Sequence, residues 1–298
     1  MYNNIDLHIH TTCSDGHFTP FEIIDIASRN NVDAISICDH DTINAYTKEL
    51  FEYAKSKNIT LVKGVEISTR YYNRGIHVLG YNYDLDNEEL NECLSKLQNA
   101  RVDYLLNVSK KLKEYGYIVN TEHLLTFESV TKAHIALDIV NNKENEALLL
   151  KEFNHIPTKG EFIEAIMNED CPCYVEKFSI TPMEATKIIR KASGKVILAH
   201  PVCYNKEDNL EVNKIFDLVQ LMKADGIEAH YLYLDKNNIN ANESPFWDKY
   251  AKDNNLLSTI GSDFHQLDGI HVELGFKNVD FKISKKEINQ IMDTLLNK

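Results

Sequence analysis

The run Asp6-Leu7-His8-Ile9-His10-Thr11-Thr12-Cys13-Ser14-Asp15-Gly16 sets the pattern from which the rest of the chain is read. Apolar residues alternate with histidine, so on a strand His8 and His10, two positions apart, project from one face. A polar turn carrying Asp15 and Gly16 follows. Two imidazoles at a strand end, with a carboxylate arriving from the next loop, have the make-up of part of a metal site. Taken alone, the pair reads equally well as a solvated His-x-His on an edge strand.

Downstream, Thr19-Pro20-Phe21-Glu22 is a helix start, with Thr as N-cap, Pro in the first turn and Glu closing a capping box. The helix, 20–30, leads to an apolar strand, 33–38, that ends in Asp39-His40-Asp41. After a helix over 43–57, the apolar run 59–65 ends in Glu66, and a further strand, 75–81, carries His77. Between 86 and 170 strand-like alternation is scarce, and charged, Leu-rich helical segments follow one another at 88–115, 129–142, 144–153 and 159–169. Alternation then resumes. Thr181-Pro182-Met183-Glu184 opens a helix to 193, and the strand 195–199 ends in His200-Pro201. A helix over 211–224 precedes the strand 226–229, which ends at His230. The helix 244–254 precedes the strand 256–260 and then Gly261-Ser262-Asp263-Phe264-His265, and an amphipathic helix over 283–296 closes the chain.

Repeated strand–helix units with few hairpin signals predict an α/β fold with a parallel sheet. The polar residues His8, His10, Asp15, His40, Glu66, His77, His200, Asp263 and His265 are expected at the C-terminal ends of successive strands. In a (β/α) barrel those ends form one mouth, whereas an open doubly wound sheet gathers ligands from fewer strands at a switch point. The spread favours the barrel. The expected division is a discontinuous barrel domain over 1–85 and 171–298, interrupted by a helical insertion over 86–170 that caps the active site.

Composition narrows the function. At 298 residues, 43% hydrophobic and 26% charged, the chain has ordinary globular proportions, and no run is apolar enough to span a bilayer. Its start lacks the basic and hydrophobic regions of a secretory signal, so a cytoplasmic location is expected. A net charge of −13 argues against a broad grip on duplex nucleic acid but allows a small phosphorylated ligand held at a concentrated positive centre, such as clustered divalent metals. The cysteines at 13, 38, 93, 171, 173 and 203 form no disulfide framework, and a single Cys171-Pro172-Cys173 has no second pair to make a zinc knuckle.

Nine candidate ligands exceed the needs of one ion. A three-metal cluster would use them economically if Glu66 bridged two ions, and mixed imidazole and carboxylate donors suit Mn, Fe or Zn. Such a cluster suits phosphoester hydrolysis: a hydroxide shared by two ions is a nucleophile at neutral pH, and the charge of the transition state is offset by the same ions. The rival reading, Ser/His/Asp catalysis, lacks a Gly-x-Ser-x-Gly elbow. Judged singly, each histidine also reads as a hydrogen-bonded core residue; the set weakens that reading.

The combination Asp6-x-His8-x-His10 with Ser14-Asp15-Gly16, Asp39-His40-Asp41, Gly64-x-Glu66, Ala199-His200-Pro201 and Gly261-Ser262-Asp263-Phe264-His265 resembles the polymerase-and-histidinol-phosphatase (PHP) family. The resemblance implies a distorted (β/α)₇ barrel and a trinuclear centre. By motif position, His8, His10, Glu66 and Asp263 would hold the first ion, Glu66, His77 and His200 the second, and Asp15, His40 and His265 the third. Glu66, Asp263 and His265 would then serve catalysis through the metal-held hydroxide.

The short Glu66–His77 spacing and the Ser14-Asp15-Gly16-x-x-Thr19-Pro20 run resemble the nucleotidase branch, implying removal of the 3′-phosphate from nucleoside 3′,5′-bisphosphates. Some relatives of that branch trim short RNA from a 5′-phosphorylated end. Histidinol-phosphate phosphatase is the runner-up enzyme, and a metal-stabilised binding module of a replication assembly is the non-enzymatic alternative. For substrate phosphates, Lys132, His134, Lys177, Arg70 and Arg74 are candidates, against the plainer reading of solvated surface charge. Lys132-Ala133-His134 stands where the branch often has an Arg-Pro-His-like run. His230 is a candidate substrate contact or proton relay. The expected partner is a small phosphorylated substrate, nucleotide-like, with neither membrane nor duplex nucleic acid; the sequence leaves the oligomeric state open.

Overall fold

Ile5–Ile9 (β1) and Ala34–Ile37 (β2) are buried along their whole length, as strands covered on both faces must be. They are the first members of a seven-stranded sheet in the computed structural model, which describes residues 1–127, 129–234 and 240–296. Between them runs Pro20–Arg29 (α1), started by the capping box that Thr19 and Glu22 form, with Pro20 in the first turn. Lys48–Ser56 (α2) leads to Thr60–Tyr71 (β3), which pairs in parallel with β2.

Arg74–Tyr81 (β4) departs from the all-parallel expectation. It returns along β3 as an antiparallel hairpin partner, joined by the two residues Tyr72 and Asn73, both at positive φ (48° and 60°). That pair of left-handed residues marks a type I′ turn, whose usual Asn-Gly signature this sequence lacks. The long helix Glu88–Tyr115 (α3) follows.

The chain forms two compact units, residues 1–94 with 180–298, and residues 95–179. The second unit is helical, built from the later part of α3 with Thr121–Leu124 (α4), Lys132–Asn141 (α5), Glu146–Phe153 (α6) and Lys159–Phe162 (α7), the last continued by a π-helical stretch to Met167. Its core gathers Leu105, Val108, Leu112, Ile135, Ile139 and Phe162.

The first unit resumes with Pro182–Lys191 (α8), whose Thr181–Glu184 capping box matches the sequence reading. Lys195–Leu198 (β5) pairs antiparallel with β4. Then come Pro201–Lys206 (α9), Val212–Met222 (α10) and Gly226–His230 (β6). Leu232–Leu234 (β7) and Asn240–Asn242 (β8) form a separate two-stranded ribbon. Ser244–Asp253 (α11), Leu257–Ile260 (β9) and Lys285–Leu296 (α12) complete the chain. The sheet order is β1-β2-β3-β4-β5-β6-β9, and just past β9 the backbone of Phe264 exchanges hydrogen bonds with β1, His10 N–H donating at 2.9 Å and Phe264 N–H donating to His8 O at 3.4 Å. The result is a nearly closed, distorted (β/α)₇ barrel. Among the described residues no helix is long and apolar enough to cross a membrane.

Candidate metal centre

The turn after β1 brings Asp15 back beneath the strand it leaves. Ser14 and Gly16 N–H groups both donate to Thr11 O at 2.9 Å, and a Cβ on Gly16 would lie 2.4 Å from His10 carbonyl atoms, so only glycine fits this close approach. His40 follows β2 and meets Glu66 of β3 in an isolated bridge, and His200 and Asp263 follow β5 and β9, both with positive φ (21° and 54°). His77 lies near the start of β4, not at a strand C-terminus. Because β4 runs against its neighbours, its start shares their C-terminal edge, and His77 pairs with Ser68, two residues beyond Glu66.

All nine expected ligands therefore converge. Glu66, 1% exposed, uses its two oxygens separately. Oε2 faces His8 Nε2 (3.5 Å), His10 Nε2 (3.3 Å) and His40 Nδ1 (3.0 Å), while Oε1 faces His77 Nδ1 (2.9 Å) and His200 Nε2 (3.1 Å). Asp263 Oδ1 lies 3.1 Å from His10 Nε2 and 3.5 Å from His8 Nε2. Asp15 stands among His265 Nε2 (3.4 Å), His10 Nδ1 (3.5 Å) and His40 Nε2 (3.8 Å).

The donor set fits divalent cations. Asp15 Oδ1, Glu66 Oε2 and Asp263 Oδ1 are buried and receive no hydrogen bond, a costly state for carboxylates without a cation. Imidazole nitrogens also face one another, His8 Nε2 to His10 Nε2 at 3.2 Å and His77 Nδ1 to His200 Nε2 at 3.4 Å. Burial pushes the His10 pKa down, but the Asp263 and Glu66 carboxylates beside the ring outweigh it and hold it at about 10; His8 is likewise raised, with Glu228 the strongest opposing charge. Two protonated rings repel across such a gap. A cation that displaces both protons removes the conflict. Burial raises the Asp15, Glu66 and Asp263 carboxyls, yet the surrounding imidazoles hold all three well below the usual range. Cys38 stays outside the donor set: burial pushes its thiol up to about 12, and its Sγ donates to Leu7 O.

The residues behind the donors escaped the sequence reading. Glu228, buried in β6, accepts from His8 Nδ1 (3.0 Å) and from the His200 backbone N–H (2.9 Å). Asp39 accepts from the Ser14 hydroxyl at 2.5 Å, and Ser14 Oγ lies 3.3 Å from His10 Nδ1. Each ring thus has Nδ1 engaged and Nε2 turned to the centre, which fixes its tautomer. Tyr231 donates its hydroxyl to Asp263 Oδ2 at 3.4 Å.

The other expected site residues have bonds and neighbours of their own. His230 does not join the centre; it faces Asp248 of α11 (3.8 Å) and Phe281. Its strand has a register irregularity between Ile227 and His230, so the parity that aims Glu228 inward does not carry two residues on. Arg74 donates to the Asp208 carbonyl, and the Arg70 N–H bonds Ile180 O at 2.9 Å. Lys132 donates to Asn168 at 3.2 Å, and His134 closes the N-terminus of α5 and stacks on Phe127; Lys177 lies in irregular chain of the helical unit.

Comparison with known proteins decides the family. The PHP domain model matches residues 6–194. The chain belongs to the PHP domain family. His200, Asp263 and His265 lie beyond the matched span, but full-length relatives cover them. A 5′-3′ exoribonuclease of Haemophilus influenzae is 29% identical over 282 residues, 94% of this chain and 96% of the relative. A 3′,5′-nucleoside bisphosphate phosphatase of Chromobacterium violaceum is 24% identical over 266 residues, 88% of this chain and 87% of the relative. In fold, the chain superposes on a Bifidobacterium adolescentis protein assigned as a metal-dependent phosphoesterase, with TM-score 0.76, 20% identity and 97% and 96% of the two chains covered. At that identity the likeness is one of fold.

Chelation should expose how far folding leans on the centre. For each ion present at about 100 times its Kd, removal costs about 2.7 kcal/mol. For a chain of this size that corresponds to a Tm lower by about 4 °C per ion. Melting curves with chelator and after adding Mn back would measure it; identical curves would contradict a cation-dependent core.

Proposed function

We propose that this PHP protein hydrolyses a phosphate monoester at three divalent transition-metal ions (Mn, Fe or Zn), the favoured substrate being the 3′-phosphate of nucleoside 3′,5′-bisphosphates. The observation that carries the reading is Glu66, whose separate oxygens face two different sets of imidazoles. His8, His10, Glu66 and Asp263 would hold one ion, Glu66, His77 and His200 a second, and Asp15, His40 and His265 a third. Ions bound there supply Lewis acidity and positive charge for a phosphoryl group and make water acidic enough to attack at neutral pH. The protein's share is to keep the donors aligned, with Nε2 of His8 and His10 turned to the centre: Glu228 orients His8, Ser14 with Asp39 orients His10, and the Tyr231 hydroxyl steadies Asp263. No side chain is needed as a covalent nucleophile.

A second reading, 5′-3′ cleavage of short 5′-phosphorylated RNA, is favoured by relatives of that name in Haemophilus influenzae and, at 28% identity, in Escherichia coli. Both chemistries need the same centre and differ in what lies beyond the phosphate. The test measures phosphate or nucleotide release from a nucleoside 3′,5′-bisphosphate, short 5′-phosphorylated RNA and histidinol phosphate, with Mn, Fe and Zn compared. The bisphosphate is expected to be turned over most efficiently. Preference for histidinol phosphate would overturn the nucleotide assignment, and bound metal without any hydrolysis would turn the reading to a binding module.

A further inference from the structure

The tip of the β3–β4 hairpin carries an unusual residue. Tyr72 sits in the left-handed region (φ 48°), where a bulky side chain is disfavoured and type I′ turns usually place Asn, Asp or Gly. Despite that cost the residue is 72% exposed, and its ring lies 4.4 Å, centroid to centroid, from the ring of Tyr71. Strain kept at a solvent-facing aromatic points to a task outside the fold.

Beside these rings is a cavity of about 860 Å³, lined also by Arg74, Leu210, Lys214 and Asp217. Its lining residue Leu210 is tied to the strand that carries His77 by two hydrogen bonds. Leu210 N–H donates to Tyr204 O at 2.9 Å, and the Tyr204 hydroxyl accepts from the backbone N–H of His77 at 2.8 Å. Arg74, three residues from His77 on the same strand, anchors the loop before α10 through the Asp208 carbonyl.

We infer that this groove is a nucleotide subsite that holds a base of a short single-stranded oligonucleotide against Tyr72, with its phosphate between Arg74 and Lys214. The inference rests on the reading of the centre as a nucleotide phosphoesterase and deepens its oligonucleotide form. Exposed aromatic faces with flanking cations are how proteins hold single strands without reading sequence, and each base–aromatic stack is a substantial share of the affinity. Asp217 offers an acceptor to a base amine or ribose hydroxyl. The volume suits one nucleotide, and among the described residues two cations line it, so the strand held is short, in keeping with a chain of net charge −13.

The experiment uses fluorescence anisotropy of labelled, 5′-phosphorylated pentanucleotides, ribo and deoxyribo, on the full chain carrying Glu66→Gln to block cleavage. Adding Tyr72→Gly should weaken binding about tenfold, while Tm stays unchanged or rises because glycine relieves the left-handed strain. Tyr72→Phe should bind as the parent does. Adding Lys214→Ala instead should lower affinity and reduce the salt slope by about one. Loss for the ribo form alone assigns the groove to RNA, loss for both to single strands in general, and either supports the inference. Unchanged affinity overturns it, as does affinity that falls only together with Tm. A change of oligomeric state with binding unmoved makes the face an interface between copies instead. Phosphate release from the bisphosphate by the wild-type chain tests the catalytic reading separately: hydrolysis with Tyr72-independent binding overturns the groove alone, and no hydrolysis with Tyr72-dependent binding overturns the enzyme alone.

Discussion

Replacing Glu66 with alanine is expected to lower kcat/KM by at least about 10³-fold, the scale on which loss of one preorganised contact to a developing charge acts, and to strip more metal than any other single ligand change. The argument is one of sharing. Asp263 reaches His8, His10 and His265, and Asp15 reaches His10, His40 and His265, so neither touches the His77 and His200 pair. Glu66 alone among the carboxylates divides its oxygens between the β1 histidines and the pair His77 and His200. Its removal therefore unbalances two donor sets at once. Glu66→Gln should be comparably inactive, because an amide of the same shape can turn only one oxygen to the cluster. Metal content by mass spectrometry and steady-state kinetics on the favoured substrate test this, with circular dichroism confirming the fold. Retained turnover in either variant would remove Glu66 from the chemistry.

Much of this centre was legible because period and position suffice for strand ends. His8 and His10 share a face by alternation, and His40, His200, Asp263 and His265 follow apolar runs too short to be anything but barrel strands. Where the sequence misled, a local irregularity intervened. Tyr72-Asn73 carries no glycine, so the sequence gives no sign of the hairpin that makes β4 antiparallel, and the expected strand C-terminus for His77 is instead the facing edge of an antiparallel strand. In β6, alternation puts Glu228 and His230 on one face, and the more conspicuous histidine drew the functional role. The register shift between Ile227 and His230 sends His230 to Asp248 on α11 and leaves Glu228 inside. Asp39 and Ser14 were visible as motif letters, but their task, holding His10 through a hydroxyl, exists only once the turn folds back.

Glu228 yields the second large expected effect, a Glu228→Gln chain that binds metal about 10–100-fold more weakly, the usual cost of losing a carboxylate behind a ligating imidazole. One carboxylate holds two things here: the His8 ring through Nδ1 at 3.0 Å and the backbone of His200 at 2.9 Å. The site is built tightly around it, since a Cβ on Gly261 would lie 2.3 Å from Glu228 Oε1 and 2.3 Å from His8 Cβ. Glutamine keeps the volume but offers one acceptor where two donors arrive, and it withdraws the negative charge that makes His8 a stronger donor at Nε2. Its effect should thus be on affinity for metal rather than on the chemical step. Turnover should recover to within a few-fold of wild type at saturating Mn, with the activation midpoint shifted to higher metal concentration. A merely structural role makes a different forecast: a lower Tm with and without metal, and an activation curve of unchanged midpoint. Activity that stays low at saturating metal would instead place Glu228 at the reacting phosphate, which its bonds to His8 and His200 argue against, because both of its oxygens are already engaged away from the face where substrate must enter.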